Sequence, residues 1–289
     1  MGKTLAANYG QVISMPPAAV KTTLLLLLPA LLAVGAFLLL PLGFILFESV
    51  YLEGRGFTLY MYLSYLSDPK FHTIFLRTLK FGLIVTGVSA ILCYPASYAI
   101  SRTDQHRKSL LMSIVILPLM TSPVARTYAW MVILGRFGLI NQTLKSAGLI
   151  AEPLRLLYTE GAVIVGLLQL FLPLMVLNLV SAMENISPEL EEAAQSLGAN
   201  RWVTFFRVVI PLSADGLVMG SVLVFTGSIT AYVTPAILGG TKILTLATLL
   251  QQEAVVFMNW GGATVIAVVM TVLTILLYLG VRTLRPRIA

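Results

Sequence analysis

An all-α polytopic membrane protein with six transmembrane helices is the fold class that the sequence predicts, on three observations. The 289 residues are 58% hydrophobic and only 11% charged, with a mean hydropathy of +0.91, far from the composition of a soluble globular domain. The apolar residues gather into runs long enough to cross a bilayer core, which takes about 20 helical residues. Turn formers and most of the charged residues fall between those runs. The single cysteine, Cys93, lies inside one of them, so no disulfide framework is possible and the thiol reads as a small buried side chain. The formal charge of +7 does not point to nucleic acid, because the basic residues are scattered at segment ends instead of gathered on one face.

Residues 1–22, with Lys3 and Lys21, form a tail of mixed polarity before the first apolar run, Leu24 to Phe47. That run is longer than the roughly 7–15 apolar residues of a signal peptide, so it is expected to stay as a span. Gly2-Lys3-Thr4 echoes the end of a phosphate loop but lacks the preceding glycine, spacer and strand, and no other ATP-binding signature is present. If ATP drives this protein, another chain hydrolyses it. Val50 to Phe71 carries Glu53, Arg55, Asp68 and Lys70 among turn formers, as an extramembrane loop does. Residues 23–72 therefore read as the first helix and its loop, and residues 73–284 as a five-helix core.

The second span covers roughly Ile74 to Ile100. Arg77 and Lys80 lie one turn apart near its start, where they either snorkel to the interface or meet a substrate. Ser101 to Ser109 then concentrates Arg102, Arg107 and Lys108. In the third span, Leu110 to about Leu134, Pro118 and Pro123 remove backbone donors. A helix there should break or bend, which is tolerated at membrane depth only inside protein or beside water. Arg126 follows those prolines, and it either serves a path or gate or snorkels. Arg136 to Glu160 is mixed in charge and reads as exposed. The fourth span, about Ala162 to Met183, holds Gln169 and Asn178, amides that cross-link helices or contact a solute. The fifth, roughly Leu212 to Leu238, begins with Gly216 and Gly220 in GxxxG spacing, which allows close helix approach. A short loop with Lys242 and Glu253 leads to the last span, about Gly262 to Leu279, and residues 285–289 form a closing basic tail.

One stretch is not membrane-like: Ser187 to Leu212, SPELEEAAQSLGANRWVTFFRVVIPL. Ser187 and Pro188 make an N-cap with proline at the first helical position, and Glu189, Glu191 and Glu192 put negative charge where the helix dipole favours it. Ala193, Ala194 and Leu197 continue an apolar stripe until Gly198, suited to a left-handed C-cap, ends the helix. Asn200 is placed to cap a second short helix, Arg201 to Val208, and Pro211 marks its junction with the next span. On physics alone, this is either a solvated connection or a docking element.

Glu192-Ala193-Ala194, Gly198 and Ile210-Pro211-Leu212, with Pro188, Leu190 and Leu197 around them, resemble the EAA loop of permease subunits from binding-protein-dependent ABC importers. The resemblance covers about residues 73–280 and implies the type I importer permease fold. It implies that 184–210 is a cytoplasmic coupling loop, with Glu191, Glu192, Ala193, Ala194, Leu197, Gly198 and Ala199 docking into the ATPase subunit. The partners it implies are two ATPase subunits, a second permease subunit in a homo- or heterodimer, an extracytoplasmic solute-binding protein and the bilayer. Leu117 to Asn141, LPLMTSPVARTYAWMVILGRFGLIN, is similar to the matching part of spermidine/putrescine and opine permeases, and Phe225 to Gly240, FTGSITAYVTPAILGG, resembles the family's gate-proximal segment. Arg126, Gln169 and Asn178, with Ser228, Thr230 and Tyr232 from that segment, are accordingly the candidate path or gate residues. A polyamine leads as the solute, ahead of an opine, an amino-acid-like anion or ferric iron; the acids Glu48 and Asp215 lie at span ends.

Six spans put both termini on one side. That side holds ten basic residues outside the spans: Lys3, Lys21, Arg102, Arg107, Lys108, Arg201, Arg207, Arg282, Arg285 and Arg287. The other side holds six: Arg55, Lys70, Arg136, Lys145, Arg155 and Lys242. The positive-inside rule thus places both termini and the glutamate-rich loop in the cytoplasm, and the resemblance implies a bacterial inner membrane. An intramembrane enzyme would need reactive groups in the spans, whereas His72 and His106 lie near loops and no HExxH or embedded carboxylate pair occurs. No catalytic residue, cofactor or metal is expected. A secondary transporter would show inverted repeats and midplane ionisable groups, and neither is visible.

Overall fold

The computed structural model describes residues 17–52 and 56–284. Most of the N-terminal tail, Glu53, Arg55 and the tail at 285–289 lie outside the described residues. The chain divides into two units, Met1–Thr58 and Leu59–Ala289.

In the first unit, α1 (Pro17–Val34) passes through a widened π turn, Gly35–Leu39, into α2 (Leu40–Val50). Apolar side chains are exposed all round it from Leu25 to Phe47, the pattern of a helix whose solvent is lipid. A two-stranded hairpin follows, β1 (Tyr51–Leu52) and β2 (Gly56–Phe57), antiparallel with Tyr51 opposite Phe57. Phe47, Tyr51 and Phe57 pack their rings together there.

The second unit opens with α3 (Tyr60–Ser67), which runs into the longest helix, α4 (Pro69–Ser101). Asp68 caps α4 by accepting from the Lys70 amide, and Pro69 occupies its first turn, a start signal written into the sequence. The third span is broken as Pro118 and Pro123 predict. α5 (Gln105–Ile116) tightens into a 3-10 turn, Leu117–Met120, and α6 (Pro123–Leu134) leaves at 93°. Beyond it, the stretch expected to be an exposed loop contains α7 (Leu139–Ser146). α8 (Glu160–Glu184) is the fourth span.

α9 (Pro188–Ser196) and α10 (Arg201–Thr204) form the two short helices of the glutamate-rich stretch. The second does not stop at Val208: a π turn, Phe205–Val209, carries it to Leu212, where the axis bends by 65° into α11 (Ala214–Thr230). This π turn stands in the same register before Pro211 as Gly35–Leu39 does before Pro41. A widened turn makes room for a ring that would otherwise strike the preceding carbonyl. The fifth span is shorter than expected, ending at Thr230. Pro235–Gly239 is a separate π turn, and the expected short loop contains α12 (Leu246–Gln251). α13 (Trp260–Leu284) is the last span.

Among the described residues, four unbroken helices and two bent pairs supply the six segments of an all-α polytopic fold. Three helices make its centre. Phe81 and Val85 of α4, Leu167, Met175 and Leu179 of α8, and Val224 of α11 are fully buried in one cluster. The GxxxG spacing explains the approach of α11 to α8: a Cβ on Gly216 would strike Ala182 and the Asn178 carbonyl, and one on Gly220 would lie 2.7 Å from the Met175 sulfur. Without those glycines, the backbones could not close to this separation. A second cluster joins Phe71 and Ile74 of α4 to Leu246 of α12 and to Ile266 and Met270 of α13.

Candidate functional site

The elbow between α9 and α10 is built by the residues that predict it. Gly198 has φ +92°, a left-handed conformation that side chains disfavour. Its amide donates to the Gln195 carbonyl and the Ala199 amide to the Ala194 carbonyl, which closes the helix end in a Schellman motif. Asn200 then caps α10 by accepting from the Val203 amide at 2.8 Å. Ser187 differs from expectation. Its backbone is extended and Pro188 takes the first turn, but its hydroxyl makes no capping bond.

α9 presents two faces. Leu197 is 90% exposed, and Leu190, Glu192 and Ala193 are also exposed, while Ala194 and Ala199 are half-buried. Glu191, expected among the docking residues, instead turns into the protein. It is 7% exposed and accepts from the Tyr98 hydroxyl at 2.6 Å and from Arg102 Nε at 2.7 Å. Adjacent positions on a helix point about 100° apart, so one of two neighbouring glutamates faces out and the other in.

Arg102 also donates to the carbonyls of Met183 (3.2 Å) and Ile186 (3.4 Å), where α8 ends. Lys108 pairs with Glu184 beside it. Phe205 packs edge-on against the rings of both Tyr94 and Tyr98. The Tyr94 hydroxyl shares a hydrogen bond with Ser213 and reaches the Ile210 carbonyl. A cavity of about 670 Å³ remains between α4, α9 and α10, with Tyr98, Arg102, Glu191, Glu192 and Trp202 in its walls. Sequence reasoning missed Tyr94, Tyr98 and Arg102 as part of this assembly. Their signal was spacing, since positions four apart share one helix face.

The candidate path residues are not brought to one place. Asn178 packs at Gly216 and Gly220 and donates to its own helix, at the Leu174 carbonyl. Ser228 and Thr230 likewise donate to the Val224 and Thr226 carbonyls. Thr230 lies about 15 Å along α11 from Gly220, at 1.5 Å per residue. Tyr232 is 41% exposed just beyond that helix. Gln169 lines a largely apolar cavity of about 460 Å³ with Pro118, Trp130 and Pro173. Arg126 sits in the first turn of α6, and its Nε and Nη1 are buried without a hydrogen-bond partner among the described residues. The next residue, Thr127, meets Thr234 at 3.2 Å.

Arg77 and Lys80 do not simply snorkel. Both bind Glu160, at the start of α8, and Arg77 donates to the Leu244 carbonyl at 3.3 Å. Between them in sequence, the Thr78 hydroxyl accepts from the Leu246 amide at 2.9 Å and donates to the Ile74 carbonyl.

Straight and bent apolar helices around a three-helix centre, with a capped two-helix elbow at one end, make a polytopic membrane protein. Residues 94–289 match the family described as the binding-protein-dependent transport system inner membrane component, and the chain belongs to that family. It is an inner-membrane, multi-pass protein. It is 35% identical over 211 residues to the spermidine/putrescine transport system permease protein PotB of Haemophilus influenzae, covering 72% of this chain and 74% of that protein. The Escherichia coli protein of the same name is 32% identical over 201 residues, covering 69% and 73%. A chain in the crystal structure of a bacterial alginate ABC transporter in complex with alginate pentasaccharide-bound periplasmic protein has the same fold. Its TM-score is 0.79 at 17% identity, covering 94% of this chain and 97% of that one.

Proposed function

We propose that this chain forms half of the translocation path of an ABC importer for a polyamine such as spermidine or putrescine, and is energised by separate ATPase subunits. The observation that carries the solute class is the similarity to PotB proteins over about seven-tenths of the chain. In this reading, the elbow faces the cytoplasm and the exposed side of α9, with Leu197 at its tip, fills a groove on one of two ATPase subunits. A second permease subunit completes the path and an extracytoplasmic binding protein delivers the solute. ATP binding draws the ATPase subunits together, the elbows follow, and the two halves rock between inward-open and outward-open states. Residues 1–22 and 285–289 lie in the cytoplasm as tails, residues 23–72 form the first helix and outer loop, and residues 73–284 are the core that moves.

Arg126 serves the path or gate in this scheme. A guanidinium with two buried, unpartnered nitrogens is costly, and an importer that cycles between two states can supply its partner in one of them. The test is uptake of labelled putrescine and spermidine into cells or vesicles carrying the complete system, with and without this chain. Uptake that depends on the chain and is competed by the other polyamine is expected. Uptake unchanged by its deletion overturns the proposal.

A further inference from the structure

α4 is fastened at both ends to segments remote in sequence. At its Ser101 end, Tyr98 and Arg102 hold Glu191 of the elbow helix, Tyr94 holds the bend at Ser213, and Phe205 sits between the two tyrosine rings. At its Pro69 end, Arg77 and Thr78 hold the Leu244 carbonyl and the Leu246 amide, and Arg77 and Lys80 hold Glu160. From Thr78 to Tyr98 is twenty residues, about 30 Å of helix. The helix runs unbroken through Pro95, with Tyr94 and Tyr98 tied on either side of that point. α11, the covalent route out of the elbow, has a joint at each end: the 65° bend at Ser213, and the break after Thr230 before the turn at Pro235.

We infer that α4 is the strut that carries movement of the elbow to the Leu244–Gln251 segment, and that Glu191 is the positioning residue that fastens the elbow to it. The inference rests on the importer reading above and adds the route by which force crosses the membrane. A carboxylate that is 7% exposed and held by a guanidinium and a phenol is a strong, directional link, because charge-assisted bonds are about twice as strong as neutral ones. Glu192, its exposed neighbour, is left free to meet a partner.

The experiment uses the complete system in proteoliposomes, with a Cys93→Ala background and Gln251→Cys as a probe at the end of the Leu244–Gln251 segment. The background should show a change in labelling from the outside when ATP is trapped with vanadate. Glu191→Gln should leave ATPase copurification and basal hydrolysis in place but abolish that change, with uptake reduced more than about tenfold. Tyr98→Phe, which keeps the ring against Phe205 and loses only the hydroxyl, should act in the same direction. The double variant should be no worse than Glu191→Gln alone, as for groups in one network. Thr78→Val, at the far end of the strut, should also suppress the change while leaving ATPase binding intact. A labelling change of background size in Glu191→Gln, or additive effects of Glu191→Gln and Tyr98→Phe, overturns the strut while leaving the importer reading in place. A background with no ATP-dependent change overturns both.

Discussion

Gly198 and Gly216 are both glycines that matter, for different physical reasons, and substitution separates them. At Gly198 nothing lies within 4 Å of a built Cβ, so the constraint is φ +92° alone; a left-handed residue with a side chain costs about 1–2 kcal/mol. Gly198→Leu should lower the melting temperature in detergent by only a few degrees, about 2–4 °C per kcal/mol, and leave membrane abundance near that of the wild type. It should nevertheless misdirect α10 and abolish uptake and substrate-stimulated ATP hydrolysis. Gly216 has ordinary backbone angles but no room, because Ala182 and Asn178 occupy the space. Gly216→Leu should instead destabilise the core by about 1–3 kcal/mol, as overpacking does, read as a lower melting temperature and less protein in the membrane. Arg126 gives the opposite sign. Two of its nitrogens are buried without partners among the described residues, so Arg126→Gln should not lower the melting temperature, while uptake falls. Wild-type uptake by both Arg126→Gln and Arg126→Ala would remove Arg126 from the path.

At the scale of elements, the prolines decide where the third span opens and which polar group it presents. α5 and α6 meet at 93° where the proline pair removes two backbone donors, and α6 brings Arg126 in its first turn. The elbow helices are short enough to need their caps, since an isolated helix of fewer than about 12 residues is marginal in water. Asn200→Ala should therefore loosen α10, costing about 1 kcal/mol, and hydrogen exchange at the Val203 and Thr204 amides would register it. Orientation is tested on the same elements. In a Cys93→Ala background, Gln142→Cys in α7 should react with an impermeant reagent added outside intact cells, whereas Gln105→Cys and Gln195→Cys should be protected until the membrane is opened. Reaction of Gln195→Cys before Gln142→Cys would reverse the proposed topology.

For the molecule as a whole, the three central helices α4, α8 and α11 form a block in which Gly82, Gly166, Gly216, Gly220 and Gly227 all admit a neighbouring side chain or backbone where a Cβ would not fit. Such a block deforms little and is suited to moving as a unit. Selection of the solute is expected to lie mainly with the binding protein, since the candidate path side chains Ser228, Thr230 and Asn178 spend their donors on their own helices. Titration of the purified cognate binding protein with putrescine and spermidine should give saturable binding, while Ser228→Ala in this chain should change uptake little.

The sequence by itself determined which segments cross the membrane, where the third breaks, and where the elbow turns. Each of these depends on local chemistry: apolar runs the length of a bilayer, prolines without donors, a glycine at a left-handed position and an asparagine at a cap. Helix ends were legible where such residues bounded a long apolar run, whereas α12 was missed although Thr245 caps it by accepting from the Thr248 amide, because its apolar stretch is too short to stand out. Only the tertiary structure decided which of two adjacent glutamates faces inward. Glu191 is held by side chains 89 and 93 residues away, and no local signal distinguishes it from Glu192. The same holds for Arg77 and Lys80. Whether a cation near a helix end snorkels or pairs depends on a carboxylate supplied by another helix, and folding brings Glu160 to them across 80 or more residues of chain.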